Sequence, residues 1–506
     1  MKIALVPLDE RPVNTGLPRA VGAVAGVEVV LPDAGLLPVQ RDAGDVAGLA
    51  TWLEGVAPDA DAVCVCLDTL LYGGLVAART TDDATAAVLT RLATLERVRE
   101  AAPGVPVDAV SLVMRASNSY SDGEEPLYWS QYGKELHALG GALQHLFEEP
   151  TVAYDDAVAS LERAVPADVR ADFERRRLRN HQVNLSCLDL LSRGVVDTLF
   201  VTADDTAPYA AGTLEQRWLA HWARALPLAG TFLMHPGADE VGAILVARAL
   251  VRSSGRPVRV RIAASRVEEL GVVPAYENVP LVQSAQRQVL AAGCDVVEEG
   301  EDLVIVLHPA HPGRLSWSLG AGDVDPDVET DVAARTAALV RALLAEGKTV
   351  ALADVRYTNG SDPRLVDDLA GDGSFLQLAA YGGWNTAGNT LGSVVALAVA
   401  QIVGRRAGTV DDDERLRQLL HRAVEDRGYQ AGARDQVRLA AGLPDHGTLY
   451  RDDDEAAAEE QAAKLLGDYL AALDPEGRFT LTGVRYPWHR TFEIDFELRA
   501  TAGAAR

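Results

Sequence analysis

Two pairs of adjacent acids, Asp204-Asp205 and Asp239-Glu240, are the residues of this 506-residue chain whose type and spacing speak most directly of chemistry. Neighbouring carboxylates repel each other, so burial of such a pair favours one member keeping its proton near neutral pH while the other stays charged. General acid catalysis on a glycoside needs that division of labour. These four residues are the catalytic candidates. Helix capping competes as an explanation, because Asp239 directly precedes the apolar stretch 241–250 and acids suit a helix N-terminus.

Further polar residues follow short apolar runs along the chain. Asp9, Glu10 and Arg11 come after the first run, Asp68 after another, then Arg115 and Asn118. Later come Asp354 and Asn359, then Trp384 and Asn385 within a Gly-rich stretch. Arginine forks grip carboxylates or phosphates, amides bind hydroxyls, and an exposed indole stacks on a sugar face. These ten are read as substrate-binding candidates. Taken singly, each Asp or Asn is equally a turn former or cap. His235, His308 and His311, with Asp9, Asp68, Asp204 and Asp354, also hold the nitrogen and oxygen donors of a divalent cation site. No His-Glu-x-x-His spacing occurs, so no metal ligand is assigned, and the cofactor reading is none with a divalent metal left open. A Gly-x-Ser-x-Gly elbow and a P-loop lysine motif are both missing from the sequence.

The elements that must carry these residues are short runs rich in valine, isoleucine and leucine, each leading into a polar loop and then a helical pattern. Runs lie at residues 3–8, 27–31, 62–67, 107–114, 198–202, 231–234, 258–263, 303–307, 349–353 and 376–380. Most are continuously apolar, as strands buried on both faces must be, and their alternation with helices means βα crossovers and parallel sheets. The fold class expected is therefore α/β, with parallel-sheet βα repeats in two lobes and a helical C-terminal appendage. Ten strands exceed the eight of a (β/α)8-like barrel, but such a barrel with a second α/β domain stays as the alternative. The division expected is an N-terminal α/β domain over 1–255 with a helical insertion at 120–193, a second α/β domain over 256–405, and a helical appendage with a closing strand over 406–506. In either architecture ligands bind at the carboxyl ends of the strands, which is where the polar residues fall.

Composition narrows the partners. With 47 basic and 73 acidic side chains the formal charge is −26, and the isoelectric point is near 4.8. A nucleic-acid partner needs a basic stripe, and Arg175, Arg176 and Arg177 read instead as a solvated helix face. Anionic membranes are repelled too. The opening MKIALVPLDERP is broken by Pro7 and Asp9, and no later run reaches the roughly 20 apolar residues of a spanning helix. Cys64 and Cys66 alternate with Val63 and Val65 along one predicted strand and read as core thiols, and a reducing, cytoplasmic compartment fits. A homo-oligomer is left open.

The blocks VPLDERPVN, ADDTAPY, PGADEVG and YGGWNTAGNTLG together resemble a bacterial family of unknown function that opens with the VPLDERPVN signature. That resemblance spans most of the chain to about Arg405 and implies that the four blocks serve one site. Locally, His-Pro-Gly-Ala-Asp-Glu at 235–240 is similar to the His-x-Gly-Gly-Asp-Glu block of the family-twenty β-hexosaminidases, with Ala238 departing from the pattern. By that likeness Asp239 would orient the substrate and Glu240 would protonate the leaving group. Asp204-Asp205 is similar to the paired aspartates of O-GlcNAc hydrolases. The leading expectation is a glycoside-acting hydrolase that binds a small carbohydrate and works through paired carboxylates. The alternatives are a metal-dependent hydrolase or isomerase of a small carboxylated or phosphorylated metabolite, and a sugar- or metabolite-binding regulator.

Overall fold

A computed structural model describes residues 1–317, 326–443 and 452–501. Strand β1 (Lys2–Val6), β2 (Glu28–Val30), β3 (Ala62–Cys66), β4 (Val107–Val113), β5 (Thr198–Ala203) and β6 (Thr231–Pro236) form one sheet. Their order is β2-β1-β3-β4-β5-β6, and every pairing is parallel. Strands β3, β4 and β5 are buried along their whole length, as their unbroken apolar character requires. Helices pack Leu49, Leu53, Leu95, Val98, Leu188 and Leu191 against Val63, Val65, Ala109 and Val201 of this sheet. Fully burying a leucine or valine contributes roughly 1.5–3 kcal/mol, so this layer is a major source of the unit's stability.

A second parallel sheet holds β7 (Arg259–Ala264), β8 (Asp295–Val296), β9 (Leu303–His308), β10 (Val350–Asp354) and β11 (Ala380–Gly382) in the order β11-β10-β9-β7-β8. Neither sheet closes, so the barrel alternative is replaced by two open sheets. The apolar run at 376–380 divides into a short 3-10 turn, Phe375–Gln377, and the start of β11. The chain splits into two compact units: Met1–Arg19, Val27–Ala249 and Tyr276–Val279 in the first, and Ala20–Gly26, Leu250–Ala275 and Pro280–Arg506 in the second.

Between β4 and β5 run the helices Trp129–Glu148, Val152–Ala164 and Ala167–Ser192. Toward the C-terminus come Asp412–Ala423, a π-helical stretch Val424–Ala433, Arg434–Ala440 and Asp452–Leu473. The C-terminal strand β12 (Phe479–Arg485) pairs antiparallel with β13 (Asp495–Ala500) in a separate ribbon. The helix Ala387–Ala407 corrects one sequence expectation: it is long and apolar enough to cross a membrane by length and composition. Its apolar window is wholly buried inside the protein, which makes it a core helix. All four cysteines are buried and unbridged.

Candidate active site

Strand order reverses direction between β1 and β3 of the first sheet, and such a switch point opens a crevice at the carboxyl ends. Asp68 sits there, in the first turn of the helix Leu67–Tyr72 that follows β3 without a loop. Its Oδ2 accepts the Leu112 amide of β4 at 3.0 Å. Burial raises the Asp68 carboxyl to about 7, outweighing the Leu112 hydrogen bond and the Arg79 charge; the nearby Asp204 charge adds to the rise.

The helix Leu67–Tyr72 stops at Gly73, whose φ of +87° supplies the left-handed C-cap. A Cβ there would lie 2.9 Å from backbone atoms of Gly44, so glycine is demanded by both conformation and space. This tight exit leads the chain to the short helix Ala77–Thr80 and buries Arg79. Arg79 binds Asp204 through Nη2 and lies 3.4 Å from Glu124 and 3.7 Å from Glu125.

Arg115, just beyond β4, completes a two-arginine clamp. Its Nε meets Glu125 at 2.7 Å, its Nη2 meets Glu124 at 3.1 Å, and its Nη1 meets Asp205 at 2.9 Å and Asp204 at 3.9 Å. Arg41 pins the acidic loop by donating to the carbonyls of Asp122, Gly123 and Glu125. Four acids, Glu124, Glu125, Asp204 and Asp205, thus surround two guanidinium groups, and Asp68 lies within electrostatic reach of Arg79. Glu125 and Arg79 form the buried floor, whereas Asp205 keeps 27% of its side chain open to solvent.

Asp205 has a φ of 35°, a left-handed backbone uncommon outside glycine. Thr206 secures the turn by donating its amide to Tyr276 O at 2.8 Å. Strained backbone of this sort tends to gather at functional sites. Burial pushes the Asp205 carboxyl up to about 7, with the Asp204 charge next in importance, and the Arg115 charge only partly offsets them.

The second acidic pair has a different environment. After β6 the chain turns at Gly237, whose amide donates to Ala203 O at the end of β5. The Gly237 φ is +127°, and a Cβ there would strike the Glu240 carboxyl. Asp239 reaches Arg11 Nη2 at 2.6 Å, and Arg11 also binds Asp9 at 2.7 Å. Asn14 Nδ2 donates to Asp9 at 2.8 Å. Glu240 is fully buried, 3.8 Å from His235 Nδ1. Glu10 Oε1 accepts the Gln40 amide at 2.9 Å. This second cluster ties β1 to the segment after β6 with buried ion pairs, whereas Asp204-Asp205 lies partly open. Asn118 is exposed, three residues past Arg115.

Four sequence-derived candidates belong to the second unit. Asp354 accepts the Asp362 amide at 2.7 Å and the Arg356 amide at 3.3 Å. Burial raises its carboxyl to about 6, with His308 pulling down and Asp362 pushing up. His308 bridges Thr336 at 3.0 Å and Asp362 at 3.1 Å, and His311 Nε2 lies 3.6 Å from Glu329. Asn359 and Asn385 both adopt left-handed backbone, and the Asn359 amide donates to Asn385 O at 3.0 Å. Trp384 is buried with its ring 5.5 Å from Phe492, so it packs in the interior. No group of three or more acidic, histidine or cysteine side chains arranged for a metal ion occurs among the described residues.

Sequence reasoning missed Arg79, Glu124 and Glu125. Glu124-Glu125 carries the same signal as the other acidic pairs, but it lies eleven residues beyond β4 in a loop that no periodicity marks. Arg79 sits in an Ala-Ala-Arg-Thr stretch indistinguishable from a helix surface until the fold buries it.

No curated protein and no solved structure matches the chain. One family matches over residues 3–497, nearly the whole length, and its description names no activity. The chain belongs to the family described as Protein of unknown function (DUF4127).

Proposed function

We propose that the cluster of Asp204, Asp205, Arg79, Arg115, Glu124 and Glu125 is the active centre of a hydrolase acting on glycosidic bonds. The observation that carries this reading is a pair of adjacent carboxyls in unlike surroundings: Asp204 held by Arg79, and the partly open Asp205 raised to about 7. A carboxyl that keeps its proton at neutral pH donates it to the leaving glycosidic oxygen as the C–O bond breaks. Its carboxylate neighbour stabilises the positive charge that develops on the sugar ring, and water then completes the cleavage with Asp205 taking back a proton. Arg115 holds Asp205 in place, and the exposed Asn118 is available to sugar hydroxyls.

Both carboxyls touch the same Arg115 nitrogen, at 2.9 and 3.9 Å, which caps the separation of the contacting oxygens at about 7 Å. That ceiling admits both the roughly 5–5.5 Å of retaining glycosidases and the lower end of the roughly 6.5–9.5 Å of inverting ones, so the product configuration distinguishes the two. The test is turnover of a panel of aryl glycosides by the full chain, with product configuration read by proton NMR. Asp204→Asn and Asp205→Asn should each lose at least about a hundredfold in kcat, the usual scale of acid–base catalysis, with melting temperatures close to wild type. Full activity in both variants would remove the proposal.

A further inference from the structure

The loop after β5 carries Asp205 in the left-handed region, a conformation that a non-glycine residue keeps only where its surroundings impose it. Hydrogen bonds at both ends of the loop do so. At the near end the Thr206 amide is held by Tyr276 O at 2.8 Å, and Tyr276 itself has a φ of 62°. Thr213, buried in the first turn of the helix Ala211–Ala225, closes the loop on itself. Its Oγ1 donates to Ala207 O at 2.6 Å, which makes Thr206 Oγ1, 3.1 Å away, the donor of the next bond. Asn278 Nδ2 donates to the same Thr213 oxygen at 3.1 Å and to Gln216 Oε1 at 3.3 Å. The Thr213 hydroxyl thus uses its one proton and both lone pairs. At the far end Gln144 Oε1 accepts the Ala210 amide at 2.8 Å, and Gln144 Nε2 donates to Pro208 O at 3.3 Å.

We infer that Thr213 is a positioning residue for the candidate acid Asp205: with Asn278 it keeps the loop closed, and so keeps the Asp205 carboxyl against Arg115 and mostly out of water. The role rests on the glycosidase reading of Asp204-Asp205 and adds the residues that set the acid's geometry. Thr213 and Asn278 lie apart in sequence, yet both belong to the first unit, Asn278 through the segment Tyr276–Val279. The charges acting on Asp205 are those of Asp204, Arg115, Arg79 and Glu124. Thr206, Thr213 and Asn278 are uncharged, so a change at Thr213 reaches Asp205 through geometry. Removing the hydroxyl leaves Ala207 O, Thr206 and Asn278 each short of a partner. The turn then relaxes and Asp205 gains water. Its carboxyl falls toward the ordinary range, because burial is the largest cause of its rise.

Two variants of the full chain separate positioning from packing. Thr213→Val keeps the shape and removes the hydroxyl, whereas Thr213→Ser keeps the hydroxyl. By NMR of labelled aspartate carboxyls, the Asp205 midpoint should fall by about one or more in Thr213→Val and stay near wild type in Thr213→Ser. On an aryl glycoside that wild type cleaves, Thr213→Val should lower kcat about tenfold or more, with KM within about twofold. The alkaline limb of its pH–rate profile should move to lower pH with the acid, and Thr213→Ser should restore most of the rate. Adding Asn278→Ala to Thr213→Val should cost little beyond the single change, since both act through one hydroxyl. Should Thr213→Val not fold, the half-buried Asn278→Ala takes the same readouts. A lowered melting temperature with wild-type midpoint and kcat in Thr213→Val would overturn the role, and so would a Thr213→Ser as impaired as Thr213→Val. A midpoint that falls in Thr213→Val while wild type cleaves no glycoside would defeat the glycosidase reading and leave the positioning of Asp205 standing. Turnover that depends on Asp205 and ignores Thr213→Val would defeat the positioning alone.

Discussion

Asp68→Asn isolates the electrostatic cost of placing a carboxyl at the switch point of the first sheet. Asp68 is buried, and its carboxyl is raised from 3.8 to about 7. The unfolded chain releases this proton near pH 4, whereas the folded chain keeps it to about pH 7. Across that window the folded state binds more protons, so this group's contribution to stability falls as pH rises and levels off above pH 7. The difference corresponds to about 4 kcal/mol over the full window. Asparagine does not titrate and keeps an oxygen for the Leu112 amide. Stability of Asp68→Asn minus wild type should therefore climb by up to about 4 kcal/mol between pH 4 and pH 8. Near pH 4 the two should differ only by the small cost of exchanging a hydroxyl for an amide. Urea titrations at half-unit pH steps measure the difference, and subtraction cancels every group common to both proteins. A flat difference curve from pH 4 to 8 would refute the reasoning.

Other consequences follow from the same geometry. Arg79→Met should cost about 3–5 kcal/mol in urea denaturation, because it removes the buried cation that binds Asp204 and leaves Arg115 as the remaining partner of Glu125. Gly73→Ala should cost about 1–3 kcal/mol through its left-handed φ and the Gly44 backbone. The control Gly104→Ala, with open space around its Cβ, should stay within about 0.5 kcal/mol of wild type.

The parallel sheets were legible because β3, β4, β5 and β9 are buried on both faces and therefore read as continuous apolar runs. Open sheets rather than a barrel depend on long-range pairing, which no local pattern encodes. Asp204-Asp205 and Asp239-Glu240 gave one sequence signal and two outcomes. The first pair follows β5 directly and stays partly open, whereas the second is drawn to Arg11 across the sheet and buried. Trp384 looked like a stacking platform from its glycine neighbours, yet Phe492, more than a hundred residues away, covers it. Arg79 and Glu125 escaped notice for the converse reason: nothing near them in sequence announces a buried charge.

Selective 13C labelling of aspartate carboxyls, titrated by NMR in wild type and Asp204→Asn, tests the unlike-pair claim at its source. The Asp205 midpoint should lie near 7 and fall when the neighbouring charge is removed. A wild-type midpoint near the ordinary value of about 4, or one that ignores Asp204→Asn, would contradict it.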